Sequence, residues 1–514
     1  MLENIGKLGG LFGQNKSAHP LANAKELQRI LGDIPMDNAF KALDEIVGWL
    51  ESVATVEDIP EDALFEVVRQ LDEAAQWHEL RLGREYLHSR RLSKTDEKRL
   101  WSIVHGFWSL AATCYEKCLT RLAQKDKVAD SLRPQLPLLA GRLIKCLGAA
   151  LKWERFRYGP PEDTVWLRLG LAYATAEQGG VAGKPVQLYP KIAGMTTPQQ
   201  EYLKILTLHT SSIDSLLPAE IELAERLVGN FVSGFVFGPV STAESVYWVN
   251  IAQAQAPQRL AKVPRQIVPT LRFFNAGRAY DNLMQLVTDL ERGGALPADL
   301  NLGNQYHPRA VLPVLRHLAT YWAPIPPQRR HKRHPVKHRM SVLVGLPNAV
   351  AVFSGQAGSQ AAGLQMESWV VENVSHGGFG IVIGEGQEDG LKVGTLVAMQ
   401  PEGGDNWLLG VIRRFRRDSD KAAHVGILTL SRQVSAVDLK PRTASTYAAA
   451  AGIPALWLRD GGEEGEVRLV LPPNTFDLRE GMEFVGDYRR HVLVPGALAE
   501  QAVEYEIARY RLQG

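Results

Sequence analysis

From residue 21 to residue 322 the apolar positions return every three or four residues, the spacing of helices that each bury one stripe. Phe40, Leu43, Ile46, Val47 and Leu50 form one stripe, and Leu64, Val67, Val68, Leu71, Ala74 and Ala75 form the next. Between them stand Pro60, Glu61 and Asp62. Proline sacrifices no hydrogen bond in a first helical turn, and acids there meet the positive end of the helix dipole, so a helix starts at this point. The same periodicity predicts helices over residues 97–123, 132–157, 161–177, 198–208, 218–231, 242–254 and 268–290, broken at Tyr158-Gly159-Pro160-Pro161 and again at Gly179-Gly180-Val181-Ala182-Gly183. Each stripe needs a partner to cover it. Residues 1–322 are therefore expected to be an all-α helical array or bundle.

The pattern changes at Trp322-Ala323-Pro324-Ile325-Pro326-Pro327, where prolines forbid helix and stiffen the backbone. Residues 323–339 read as a Pro-rich hinge with a basic lead-in. After them apolar residues alternate with a period of two over residues 340–346, 368–374, 379–383, 395–400, 407–415 and 424–430. Six short strands with glycine-containing turns predict a six-stranded antiparallel barrel over residues 340–432. Residues 350–365, rich in Gly, Ala, Ser and Gln, are expected to be a mobile loop, and residues 433–451, small and polar, a linker. Alternation at residues 455–458, 466–471, 483–488 and 503–511 predicts a small β-rich domain over residues 433–514. The fold class is thus multidomain α + β.

Composition excludes several function classes. At 514 residues the chain holds more than one core, and its formal charge of +2 is too small for a protein that coats nucleic acid through its overall field. Basic chemistry must be local. No stretch has the run of apolar residues that a membrane span needs, and residues 136–153 are interrupted by Arg142, Lys145 and Lys152. No membrane insertion is expected. Three cysteines, Cys114, Cys118 and Cys146, lack the partners of a metal site and read as buried apolar residues in a reducing cytoplasm. No phosphate-binding loop, nucleophile elbow, zinc-protease helix or dinucleotide fingerprint occurs, so no catalytic residue and no cofactor are assigned. Trp166, Leu169, Gly170 and Tyr173 fit the start of a tetratricopeptide helix, but Gly179, Gly180, Gly183 and Pro185 occupy the place of its second helix. Ordinary helix packing is the reading adopted, and the helical half is taken as a scaffold that binds an unknown protein partner.

The basic lead-in runs Gln328-Arg329-Arg330-His331-Lys332-Arg333-His334-Pro335-Val336, and further on the chain reads Glu372-Asn373-Val374-Ser375-His376-Gly377-Gly378-Phe379-Gly380. Taken alone, the first run suits a solvated linker, a nucleic-acid patch or a phosphate clamp. Together, in this order and on this strand pattern, residues 325–432 resemble the PilZ domain family of cyclic di-GMP receptors. That family pairs Arg-x-x-x-Arg on a flexible lead-in with Asp/Asn-x-Ser-x-x-Gly on a strand and its turn. The resemblance implies that cyclic di-GMP is bound by Arg329, Arg333, Asn373, Ser375 and Gly378, with Arg330 as a further candidate. Arginine forks pair in bidentate fashion with phosphates or with guanine O6 and N7. Asn373 would then supply its amide, Ser375 a hydroxyl and Gly378 a turn that allows close approach. Arg413, Arg414, Arg416 and Arg417 either line the ligand's side of the barrel or lie on an outward strand end. In that family an arginine just before the first motif tends to favour an intercalated ligand pair; this position is Gln328, which leaves the stoichiometry open.

The expectation is a cytoplasmic, non-enzymatic receptor that couples ligand binding to a domain rearrangement or partner interaction. The resemblance implies control of motility or exopolysaccharide. Two other readings are a scaffold whose barrel binds no ligand, and an enzyme in the helical half regulated by the barrel.

Overall fold

The computed structural model describes residues 19–513 apart from 58, 90–91, 123, 125–126, 161, 263, 304–305, 329–330, 356–364, 385, 387–389, 419–421 and 443–451. The chain divides into two compact units. The first comprises residues 1–157, 161–213 and 218–327, and the second comprises 158–160, 214–217 and 328–514.

In the first unit the periodic stripes become α1 (Ala24–Asp33), α2 (Ala39–Thr55), α3 (Glu61–His88), α4 (Lys94–Arg121), α5 (Lys127–Leu132), α6 (Leu136–Phe156), α7 (Thr164–Gln178), α8 (Pro198–Thr210) and α9 (Pro218–Phe231). Asn23, Asn38, Ser93 and Thr197 cap their helices by accepting hydrogen bonds from first-turn amides. Helix α4 packs between α2 and α6, and its Val104, Phe107 and Ala111 are inaccessible to solvent. Helix α6 is buried over most of its surface, which explains why its apolar residues are spread around it and not confined to one stripe.

A cation, Arg142, lies deep inside this core. Arg142, 1% exposed, donates to the Leu188 carbonyl at 2.8 Å and stands 3.5 Å from Asp72, itself fully buried. Asp72 also accepts from the Tyr115 hydroxyl at 2.7 Å and from Tyr189. A buried charge with this many donors and acceptors is tolerated; a lone one would not be. The three cysteines are free and buried, and burial pushes the Cys114 thiol up to about 12.

The helical half also contains a small sheet where helices were expected. Residues 242–254 and 268–290 supply β2 (Tyr247–Asn250) and β4 (Leu271–Asn275), joined by β1 (Val236–Gly238) and β3 (Gln258–Arg259) in the antiparallel order β1-β4-β2-β3. Every residue of β2 and β4 is buried. With both faces covered, the alternation that would identify a strand disappears, and a short apolar run is then indistinguishable from a helix by period. Gly277, at φ +48°, ends the strand, and α10 (Arg278–Glu291) follows, then α11 (Pro308–Trp322).

The second unit contains two closed antiparallel barrels of six strands each. The first comprises β5 (His334–Val344), β6 (Glu367–Ser375), β7 (Gly378–Ile383), β8 (Leu396–Pro401), β9 (Leu408–Arg417) and β10 (Ala423–Ser431), in the order β10-β7-β6-β5-β8-β9. The second comprises β11 (Val434–Pro441), β12 (Ile453–Leu458), β13 (Glu466–Leu471), β14 (Met482–Gly486), β15 (Arg489–Gln501) and β16 (Glu506–Leu512), in the order β11-β12-β13-β16-β15-β14. Closure leaves neither sheet with a free edge.

Three sequence expectations change in this unit. The basic lead-in is already strand from His334 onward, with a bulge between Pro335 and His338. The first residues of the expected mobile loop belong to α12 (Leu346–Phe353), whose Leu346, Ala349 and Val352 are buried; the rest of that stretch, 356–364, lies outside the described residues. The expected linker begins as β11, because Val437 and Leu439 point inward with strand periodicity from a segment otherwise poor in large residues. The two barrels share an apolar seam. It joins Leu343, Leu346 and Leu396 of the first to Leu456, Val470, Tyr505 and Ile507 of the second.

Candidate functional site

Strands β6 and β7 form a hairpin in which Ser375 pairs with Gly378 across His376-Gly377. The Ser375 hydroxyl donates to the Gly378 carbonyl at 3.3 Å, and the Gly377 carbonyl accepts from the Thr429 amide at 3.0 Å. Position 378 admits only glycine: a Cβ there would lie 1.9 Å from the Ile427 carbonyl oxygen of β10. Gly380 is constrained in a different way. It pairs with Asn373, whose side-chain amide lies where a Cβ at 380 would be, within 2.5 Å.

Above this hairpin the barrel surface holds a cleft of about 260 Å³. Its floor is Gly377, Gly378 and Gly426, its apolar wall Phe379, Ile427 and Leu428, and its cations Arg333, Arg413 and Arg414. His331 closes one side, its ring 5.1 Å from that of His376. Gly426 faces Arg414 in register, and a Cβ at 426 would sit 3.3 Å from the Arg414 stem, so the glycine leaves room for that side chain to cross the strand. None of the described residues lining the cleft carries a carboxylate.

Arg413 is held from the second barrel. Its guanidinium pairs in bidentate fashion with Glu500 of β15, which also accepts from the Tyr505 hydroxyl at 3.0 Å. Burial is the largest influence and disfavours the Arg413 charge, but the hydrogen bond and the charge of Glu500, with Tyr505, together outweigh it and raise the pKa above its ordinary value. The pair fixes the guanidinium at the cleft wall.

Of the residues named from sequence, the structure brings Arg333, Ser375 and Gly378 together at this cleft. Asn373 lies one hairpin pair away, packed on Gly380 and not lining the cleft; its buried Oδ1 has no hydrogen-bond partner among the described residues. Arg329 and Arg330 lie outside the described residues. Arg413 and Arg414 line the cleft, whereas Arg416 and Arg417, further along β9, do not. Sequence reasoning missed His331, Phe379 and the Ile427-Leu428 wall. Only the register of β10 against β7 and β9 could have placed that wall.

Cations, a glycine floor and apolar walls without an opposing carboxylate suit an anion that also carries flat or apolar surface. Among the described residues no helix is long and apolar enough to cross a membrane, and no group of His, Cys, Asp and Glu is arranged to hold a metal.

Residues 25–240 match the family model described as the N-terminal domain of the cyclic-di-GMP receptor FimW. The match lies in the helical half and ends before the barrels. No curated protein matches the chain.

Proposed function

We propose that this chain is a cyclic di-GMP receptor in which the first barrel is a PilZ-like domain and the cleft over the β6–β7 hairpin is the ligand site. The observation that carries the reading is the convergence of Arg333, Ser375 and Gly378 with Arg413 and Arg414 on one carboxylate-free surface. The family match of residues 25–240 to a cyclic-di-GMP receptor's N-terminal domain supports the same ligand from an independent part of the chain.

In this reading the arginines meet phosphates or guanine edges, and the glycines let the ligand approach the backbone. Arg329, by the resemblance, pairs with Arg333 to wrap one side. Asn373 acts through the hairpin it braces, its unpartnered Oδ1 being available to a donor if the hairpin shifts. The protein binds without turnover in the cytoplasm. Ligand engages the arginines of the lead-in and alters how the helical half presents a partner surface in the control of motility or exopolysaccharide.

Isothermal titration of cyclic di-GMP into the full chain tests this. Saturable binding lost in Arg333→Ala is expected, and the fitted stoichiometry reads the consequence of Gln328. Absence of binding, or binding indifferent to Arg333→Ala, overturns the assignment of the cleft.

A further inference from the structure

The helical unit contains a cavity of about 400 Å³ between α3, α4, α6 and α9, with no part in the function proposed above. Its apolar wall is built from Leu80, Trp108, Ala149, Trp153 and Phe156. The residues on α6 that face it, at 145, 149, 152, 153 and 156, share one side of that helix, as do 222, 225, 226 and 229 on α9.

The charges around the cavity are unevenly satisfied. Lys152 is clamped by Glu222 at 2.7 Å and Glu225 at 2.5 Å, and Arg226 pairs with Glu222 at 3.1 Å. Lys204 pairs with Glu201 at 2.6 Å. Lys145 has no such partner: it makes no hydrogen bond or ion pair among the described residues, lies 6.0 Å from the faces of Trp108 and Tyr189, and feels the carboxylates of Asp72, Glu79, Glu201 and Glu225 only through space. The nearest acids are engaged elsewhere, Asp72 with Arg142, Glu201 with Lys204 and Glu225 with Lys152. Glu79 accepts from the Trp108 indole at 3.4 Å, and burial favours its uncharged form. Arg84 stands exposed at the rim and, among the described residues, also has no hydrogen-bond or ion-pair partner.

A half-buried ammonium lining a cavity with aromatic walls, with no direct acceptor among the described residues, is placed to receive an anion. We propose that this cavity is a second small-molecule site, taking an anion with a flat apolar body: the anionic group sits on Lys145, and the body lies against Trp108 and Trp153.

1-Naphthyl phosphate serves as the probe and neutral 1-naphthylmethanol as its control, with binding to the full chain read by tryptophan quenching and calorimetry. Saturable binding of the phosphate, at least about tenfold tighter than the alcohol, is expected from one charge-assisted hydrogen bond. Lys145→Met should remove that preference. Gly83→Leu should abolish binding by filling the cavity; a Cβ at 83 has ordinary contact with Trp153 at 3.6 Å, so the helix accepts the change. Saturable binding of the probe should persist in Arg333→Ala, which separates this site from the barrel cleft. Equal binding of phosphate and alcohol, unchanged binding in both Lys145→Met and Gly83→Leu, or loss in Arg333→Ala would each overturn the site.

Discussion

Replacing Glu79 by glutamine should stabilise the helical unit, by an amount that grows with pH. Burial is the main cause that raises its pKa from 4.5 to about 7; Glu222 on α9 raises it further, while Lys152 and Lys145 on α6 and the Trp108 indole on α4 hold it down. Below about pH 4.5 the carboxyl is protonated in folded and unfolded chains alike and has no effect. Between the two values the unfolded chain releases its proton and the folded chain keeps it. Stability therefore falls as pH rises through about 7, and above that the whole penalty stands. The gap corresponds to ~3 kcal/mol at most, and the partial exposure of Glu79 to solvent reduces it toward ~1 kcal/mol. Glutamine keeps the shape and an acceptor for Trp108 but cannot ionise. Urea titrations following the helical far-ultraviolet dichroism of parent and variant, from about pH 5 to about pH 8, measure the difference. A difference independent of pH, or one that favours the parent at high pH, would refute the buried-acid argument.

The barrel and the helical core offer three further tests. Gly378→Ala places a Cβ 1.9 Å from the Ile427 carbonyl, so β7 and β10 must part; a loss of ~3 kcal/mol in barrel stability is expected in thermal unfolding, together with loss of cyclic di-GMP binding. Arg142→Met leaves Asp72 buried without its cation and should cost ~3–5 kcal/mol in chemical denaturation, whereas the double variant with Asp72→Leu should recover much of it. Glu500→Gln frees Arg413 from its carboxylate, so cyclic di-GMP should bind a few-fold more tightly and with steeper salt dependence by calorimetry. Unaltered salt dependence would mean that Arg413 does not face the ligand.

How far the sequence foretold this structure depended on whether an element has one solvent-facing side. Helices α2, α3 and α9 each keep a polar face, and their stripes were legible; so were β6 and β7, where alternation meets a glycine turn. Strands β2 and β4 were not, because burial of every residue erases the period. Strand β11 escaped notice because its inward residues are few and stand among small polar ones. At the candidate site, Arg333, Ser375 and Gly378 lie in compact motifs that local spacing can pick out. The Arg413–Glu500 pair spans 87 residues and two barrels, and no local pattern encodes it. The helical cavity is similarly hidden, since its walls come from helices far apart in the chain and its defining property is a lysine with no direct acceptor among the described residues.

The shared seam has a consequence for how this half of the molecule is made. Leu343 stands near the start of the first barrel, yet the apolar cluster that covers it is completed by Tyr505 and Ile507, close to the last strand. Only two residues separate β10 from β11, so neither barrel has slack in which to mature by itself. Contacts that bridge such long stretches form late and slowly, since loop closure is paid for before the seam returns any gain. During synthesis the first barrel therefore waits with an uncovered apolar side until the second emerges, and this interval is where the chain is most exposed to aggregation and to capture by chaperones.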